Sequence, residues 1–376
     1  MKLFFRTASG LRLLRYAGKY LPLAAAVLCA TLSFAQHKPL RVALAGLTHG
    51  HVNGVFRNMA ANGIELVGIW ETNTQLVASL TKQYNIDPAI VYTDLGRMLD
   101  QVKPEAVAGF GSVYDHLKVV EAAAPRGVHV MVEKPLAVSV AHAKKIAALA
   151  RKHGIIVMTN YETTWYPSNR WAYDAVGEGK VGPLRKIIVY DGHAGPKNVQ
   201  PTFLEWLADP ALNGGGAVID FGCYGANLIT WLMKGERPLK VYADIRQHDP
   251  DTYPRVDDDA TILVSYRDME GVINASWAWP FARKDIHIYG RDGYIFADNP
   301  NQVRYKYAAR TPEKSETLTS LPSPEDNAFK YLAAWVRGEI TPRPYDLSAL
   351  DNNVTVVEIL EAAKKSAKSS RAVRLK

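Results

Sequence analysis

The sequence predicts an α/β fold: a doubly wound parallel sheet first, then an α+β domain on an open, largely antiparallel sheet. Three observations predict it. Between residues 39 and 158, short apolar strands alternate with helical runs, the pattern of parallel strands joined by crossover helices. Between residues 159 and 345, strand-like runs follow one another mostly through turns, as antiparallel strands do. Finally, Val132-Glu133-Lys134-Pro135-Leu136-Ala137 closes a buried strand with an acid, a lysine and a proline. That places a cation at the carboxyl edge, where open α/β sheets bind ligands.

Residues 1–35 stand apart from both domains. Lys2, Arg6, Arg12, Arg15 and Lys19 form a basic leader without an acid, an apolar run covers residues 21–32, and Ser33-Phe34-Ala35 precedes Gln36. This is the layout of a secretory signal peptide, and the run is short for a membrane span. Adjacent arginines are absent, and Leu28 before Cys29 does not suit a lipoprotein site. The expected product is periplasmic or secreted and free of the membrane; an uncleaved anchor is the alternative. Without the five basic residues of the leader, the formal charge falls from +8 to +3, which gives no case for a nucleic-acid partner. Cys29 leaves with the leader, so Cys223 has no disulfide partner. The remaining length suggests about two domains, with no Pro/Gly/Ser-rich linker between them.

The first domain, residues 36–158, begins with a strand at 40–45, the turn Gly46-Leu47-Thr48-His49-Gly50-His51 and a helix to about 62. A strand at 64–70 ends at Glu71. Helix 75–84, strand 89–92, helix 94–102, strand 106–110, helix 116–126, strand 128–131 and a helix from Ser139 follow. In such a sheet the first turn receives a dinucleotide pyrophosphate on backbone N–H groups. Thr48 and His51 replace two glycines of the usual G-x-G-x-x-G, while Gly46 and Gly50 remain. Glu71 stands where an acid would bind ribose hydroxyls, and Thr72-Asn73-Thr74 brings no arginine for a 2′-phosphate. NAD is therefore expected over NADP. His49 and His51 have no matching cysteine or acid cluster in the sequence, so no metal is expected.

The second domain, residues 159–345, carries strands at 186–190, 240–246, 261–266, 271–279, 285–289, 294–297 and 303–308. Alternation along 271–279 places Trp277 and Trp279 on one sheet face. Residues 346–376 hold a helix at 348–364, entered by Leu347 as a staple and expected to pack back on the first domain. Gly214-Gly215-Gly216 leads to Asp220 and Tyr224, four apart and so on one face of a helix. Either an acid and a phenol converge on one hydroxyl, or Asp220 caps a helix and Tyr224 is core. Glu133 and Lys134 carry a similar alternative, a turn that merely faces water.

The leading strand with Gly46, the Glu133-Lys134-Pro135 motif and Gly214-Gly215-Gly216 with Asp220 together resemble the glucose–fructose oxidoreductase / inositol dehydrogenase / rhizopine catabolism (Gfo/Idh/MocA) family. The resemblance covers residues 39–376 and implies a Rossmann-type cofactor domain and a sheet domain through which the protein associates as a dimer or tetramer. It implies Lys134 as the lysine of the E-K-P motif and Asp220 as the acid of G-G-G-x-x-x-D. Tyr224 stands where the dehydrogenases often have histidine, although tyrosine also occurs there in the glucose–fructose oxidoreductase and dihydrodiol dehydrogenase branches. His116 matches a histidine after the fourth strand, although Gly111-Ser112-Val113 replaces the family's T-P-N.

The implied activity is nicotinamide-dependent oxidation or reduction of a sugar or polyol. Lys134, Asp220 and Tyr224 are the expected catalytic set. Gly46, Thr48, His49, Gly50, His51, Glu71, His116 and Glu133 are expected at the cofactor. Tyr161, Glu162, Trp165, Tyr166, His193 and Trp206 are expected at the sugar, each with a plain alternative as core or surface. Tyrosine ionises near pH 10, so Lys134 is expected to lower the Tyr224 pKa and to stabilise an alkoxide. Two rival readings remain: a glycosidase that oxidises its substrate transiently with bound NAD, and a noncatalytic sugar-binding protein.

Overall fold

The structure, a computed structural model, describes residues 38–375; the expected signal peptide and its cleavage site lie outside them. Six parallel strands form the first sheet: β1 (Leu40–Ala45), β2 (Ile64–Trp70), β3 (Val91–Tyr92), β4 (Ala106–Gly109), β5 (His129–Glu133) and β6 (Val157–Asn160). Their order, β3-β2-β1-β4-β5-β6, reverses between β1 and β4, so the crevice of a doubly wound sheet opens above those two strands. The helices between them are α1 (Val52–Arg57), α2 (Met59–Asn62), α3 (Thr74–Tyr84), α4 (Leu95–Val102), α5 (Asp115–Ala123) and α6 (Val140–His153). Asn73, Asp94 and Ser139 cap α3, α4 and α6 by accepting backbone N–H groups.

Three sequence-based expectations change here. The single helix expected to residue 62 breaks at Asn58 into α1 and α2. Half of the expected strand at 89–92 is a 3-10 turn, leaving two residues of strand. A sixth strand, β6, ends at Asn160 beside Glu133.

The second sheet comprises β7 (Leu184–Gly192), β8 (Lys240–Arg246), β9 (Asp259–Ser265), β10 (Glu270–Ser276), β11 (Arg283–Gly290), β12 (Tyr294–Asn299), β13 (Gln302–Lys306), β14 (Lys314–Thr317) and β15 (Val373–Arg374). Its order is β14-β13-β12-β11-β7-β10-β9-β8-β15, antiparallel except between β7 and β10. The helices after β6 are α7 (Pro167–Gly177), α8 (Pro201–Leu207), α9 (Ala217–Asp220), α10 (Gly222–Leu232), α11 (Ala328–Val336), whose Phe329 and Leu332 join the first sheet's core, and α12 (Leu350–Ser369). All eleven residues of α10 are buried. A Cβ on its Gly225 would fall 2.5 Å from the Ile273 side chain, so glycine lets helix and sheet meet.

Helix α12 links to both sheets' helices. Its Glu361 accepts the Val140 N–H at the start of α6 (2.8 Å), and its Lys364 donates to the Gly214 carbonyl (2.6 Å). Leu347 is buried, and its carbonyl accepts from the Asn227 and Asn353 side chains.

Candidate active site

The turn after β1 is built for close approach. Gly46 has φ +85°, and a Cβ there would lie 2.7 Å from the Gly111 nitrogen after β4. Glu71, at the end of β2, accepts the Leu47 N–H at one carboxylate oxygen (2.8 Å) and those of Thr72 (2.8 Å) and Asn73 (2.9 Å) at the other. It thereby ties β2 to the turn. Among the described residues, the N–H groups of Thr48 and Gly50 have no acceptor. Two unmatched amides at the switch point, with an acid at the neighbouring strand end, fit a dinucleotide.

The two histidines of this turn differ. His49 is enclosed: its Nδ1 accepts the His51 N–H (3.2 Å), and its ring centre lies 4.7 Å from Phe203 and 5.8 Å from Trp206. Burial lowers its pKa to about 3, so the ring is neutral. The more exposed His51 ring sets Nδ1 3.1 Å from Glu133 Oε2, and that carboxylate raises its pKa. Burial acts to raise the Glu133 carboxyl, but His51 and His49 hold it at about 2, while Asn160 Nδ2 donates to Oε1 (3.0 Å). The ligand atoms of His49, His51 and Glu133 lie within 4.8 Å of one another, so the acid missing from the local sequence arrives from β5.

Lys134 follows β5 and is 8% exposed. Its Nζ donates to the Asp220 carbonyl (3.1 Å) and forms a close ion pair with Asp220 Oδ1. Trp277 Nε1 donates to the other oxygen of Asp220 (2.9 Å). Burial opposes both charges, yet Asp220 keeps the Lys134 pKa above its ordinary value and Lys134 keeps that of Asp220 below. Both are therefore ionised at neutral pH. Asp257 fixes the helix that carries Asp220: its carboxylate accepts the N–H groups of Gly216 (2.8 Å) and Val218 (2.7 Å).

Tyr224 corrects an expectation. It sits on α10, across a break at Phe221 from the α9 that bears Asp220. Lys134 Nζ stands 5.1 Å from its ring centre, and Lys284 Nζ 4.7 Å. Burial, then Glu162 and other acids, push its pKa well above the ordinary value. Tyr224 is a phenol here and not a phenolate prepared by Lys134.

The remaining expected residues divide. Tyr161 is buried edge-on against Tyr224, ring centres 5.4 Å apart. Glu162 pairs with Lys284 and accepts the Tyr166 hydroxyl (2.6 Å). Trp165 donates to Asn160 Oδ1 (3.0 Å). Glu162 and Trp165, with His51, Glu133 and Asn160, line a cavity of about 300 Å³. His193 accepts the Gly195 N–H (2.9 Å) and meets Phe221 edge-on, beside Asp220. Two residues are placed otherwise than expected. Trp206, expected at the sugar, lies within α8 and packs on His49 at the turn after β1. His116 is enclosed; its Nδ1–H donates to the Leu136 carbonyl (3.2 Å), and burial lowers its pKa to about 4. It holds the Lys134 loop from behind.

Sequence reasoning missed Trp277, Asp257, Lys284 and Asp191 as site residues. β10 stops at Ser276, so Trp277 leaves the sheet alternation and turns to Asp220. Lys284 and Asp191 lie just beyond the ends assigned to their strands; apolar alternation carried into each strand's polar end would have found Asp191.

Two matched regions decide the family. Residues 40–161 match the oxidoreductase family with an NAD-binding Rossmann fold, and residues 169–296 match the GFO/IDH/MocA C-terminal domain. The chain belongs to the GFO/IDH/MocA family of oxidoreductases. It is 28% identical over 142 residues to trans-1,2-dihydrobenzene-1,2-diol dehydrogenase of Macaca fuscata fuscata, 37% of this chain and 39% of that enzyme. It is 24% identical over 242 residues to 1,5-anhydro-D-fructose reductase of Ensifer adhaerens, 64% of this chain and 70% of that enzyme. The chain thus spans about two fifths of the length of the first of these curated relatives. An inositol dehydrogenase homolog from Azotobacter vinelandii, solved with NAD+, superposes with a TM-score of 0.79 at 19% identity, covering 90% of this chain and 98% of its own. That likeness establishes the GFO/IDH/MocA fold.

Proposed function

We propose that this chain is an exported oxidoreductase that uses NAD to oxidise or reduce a carbinol of a sugar or polyol. The observation that carries the proposal is the buried Lys134–Asp220 ion pair, set at the carboxyl end of β5 and oriented by Trp277. Bound NAD would supply the hydride acceptor, held by the turn around Gly46–His51 and by Glu71. Lys134 stabilises negative charge as it develops on the carbinol oxygen; in a dry site that interaction is far stronger than in water. Asp220, its plane fixed by the Trp277 bond, holds the Lys134 ammonium against the carbinol, and the departing proton leaves to solvent. Tyr224, kept neutral, donates a hydrogen bond to the substrate.

Glu71 and the absence of an arginine after it support NAD over NADP. The leader supports export, and with it a second reading. A dinucleotide acquired outside the cytoplasm is best retained through many turnovers, by paired oxidation and reduction or by transient oxidation during glycoside cleavage.

We also propose a homo-oligomer formed through the outer face of the second sheet. There Phe296 gathers His287, Tyr289 and Tyr294 at ring-centre distances of 4.2, 5.5 and 4.6 Å. This replaces the expected Trp277/Trp279 face, because Trp277 is committed to Asp220.

The function is tested by supplying aldohexoses, inositols and their glycosides with NAD or NADP to the purified protein. NADH formation, faster than NADPH formation, is expected. Sugar release without net NADH would favour the glycosidase, and no reaction with any of them would refute both.

A further inference from the structure

Asp191 is a buried ionisable group that the chemistry above leaves unused. Alternation along β7 turns Ile187, Val189 and Asp191 inward. The first two are apolar, as an inward position demands. The third brings a carboxyl to the end of the strand, 1% exposed, where neither oxygen has a hydrogen-bond partner. Its cross-strand neighbour is Lys284, but that ammonium is committed to Glu162. Lys134 is committed to Asp220. Asp285 has its own partners in Arg283 and His287. Every other charged group around this corner is matched.

Burial pushes the Asp191 carboxyl well above its ordinary pKa; Asp285 and Glu162 add to this, and Lys284 and Lys134 oppose it. A protonated carboxyl has one O–H donor and an acceptor oxygen, which complements a hydroxyl that both accepts and donates. An unmatched polar group in a well-packed core is costly, and its retention beside a reacting centre calls for a ligand. We propose that Asp191 is a specificity-determining residue, whose carboxyl exchanges hydrogen bonds with a second hydroxyl of the molecule held at Lys134. The proposal rests on the sugar- or polyol-oxidising reading and deepens it: the substrate carries at least two hydroxyls, and the enzyme measures both.

The test has one readout that needs no turnover. Asp191→Val places an apolar, β-branched side chain at an inward strand position, so NAD-loaded variant should melt at or above the wild-type temperature. A fall of more than about 3 °C, of the order of a 2 kcal/mol loss in a chain this size, would make Asp191 structural and overturn the proposal. The second readout compares each sugar or inositol that the wild type oxidises with its monodeoxy analogues. A site that hydrogen-bonds a hydroxyl rejects the analogue lacking it, here by about 10²-fold or more in kcat/KM at one position. Asp191→Val should reduce that preference to within about threefold, leaving the other positions unchanged, and Asp191→Asn should retain part of it. Unchanged discrimination at every position would overturn the proposal. Should the wild type oxidise no sugar, the redox reading fails separately. Calorimetric binding of parent and deoxy sugars to NAD-loaded wild type and Asp191→Val then decides for Asp191 by the same loss of discrimination.

Discussion

The turn after β1 and the centre after β5 handle buried charge in opposite ways. At the turn, each group is settled nearby or made neutral. Glu71 is held by three backbone amides, His49 is kept uncharged by burial, and His51 is paired with Glu133. At the centre, Lys134 and Asp220 remain charged only because each faces the other, across 86 residues of sequence, with Trp277 drawn from a third segment. The contrast separates binding from chemistry. The turn is held largely through backbone amides and a neutral ring, with Glu133 brought in from β5, whereas the centre rests on two opposite buried charges, and loss of one partner strands the other.

The sharpest way to break this contrast is Lys134→Met. Turnover should fall by about 10²–10⁴-fold, while NAD affinity measured by calorimetry stays within about threefold. Equal losses in both would merge the two regions. A smaller effect is expected from Trp277→Phe, which removes a hydrogen bond to a charged acceptor. A kcat loss of about 10–100-fold follows from such a bond, with melting little changed. Smaller still is Tyr224→Phe. Because the phenol is neutral and Lys134 stands 5.1 Å from its ring centre, the kcat loss should stay within about tenfold; a greater loss would restore Tyr224 as the proton carrier.

Acid probes a neutral histidine in each region, His49 at the turn and His116 behind the Lys134 loop. His49 and His116 have folded pKa values of about 3 and about 4, below the ordinary 6.5. The unfolded chain therefore binds more protons between those values, and stability drops as pH falls below 6.5. Glu133, held at about 2 against an ordinary 4.5, adds a loss in the same direction below pH 4.5. His51, raised by Glu133, acts oppositely, its contribution being full below pH 6.5 and lost above its folded pKa. Melting temperature should fall from pH 6.5 to 4, less steeply in His116→Asn. An unchanged slope in that variant would show that His116 is not held neutral.

Much of this was legible because local patterns carried it. Apolar runs ending at Glu71 and Glu133 are strands whose ends reach the sheet edge, and the glycines at 46 and 214–216 mark close backbone approach. The E-K-P segment showed where a lysine would stand, but not what it would face. That Lys134 pairs with Asp220 and not with Tyr224 depends on the helix break at Phe221, which no propensity pattern announces. Trp277 was misplaced for a related reason: alternation was extended past the last strand residue, Ser276. His116 reads as a cofactor contact because position in sequence does not reveal that its ring bonds the Leu136 carbonyl behind the Lys134 loop.

The most direct measurement is a double-mutant cycle on Lys134→Met and Asp220→Asn, reading the single-turnover rate of NADH formation with a saturating sugar or polyol. If the two side chains act as one unit, the double variant should be no slower than about threefold below the slower single variant. Losses that multiply would mean that Lys134 and Asp220 act independently, contradicting the assignment of this ion pair as the reacting centre.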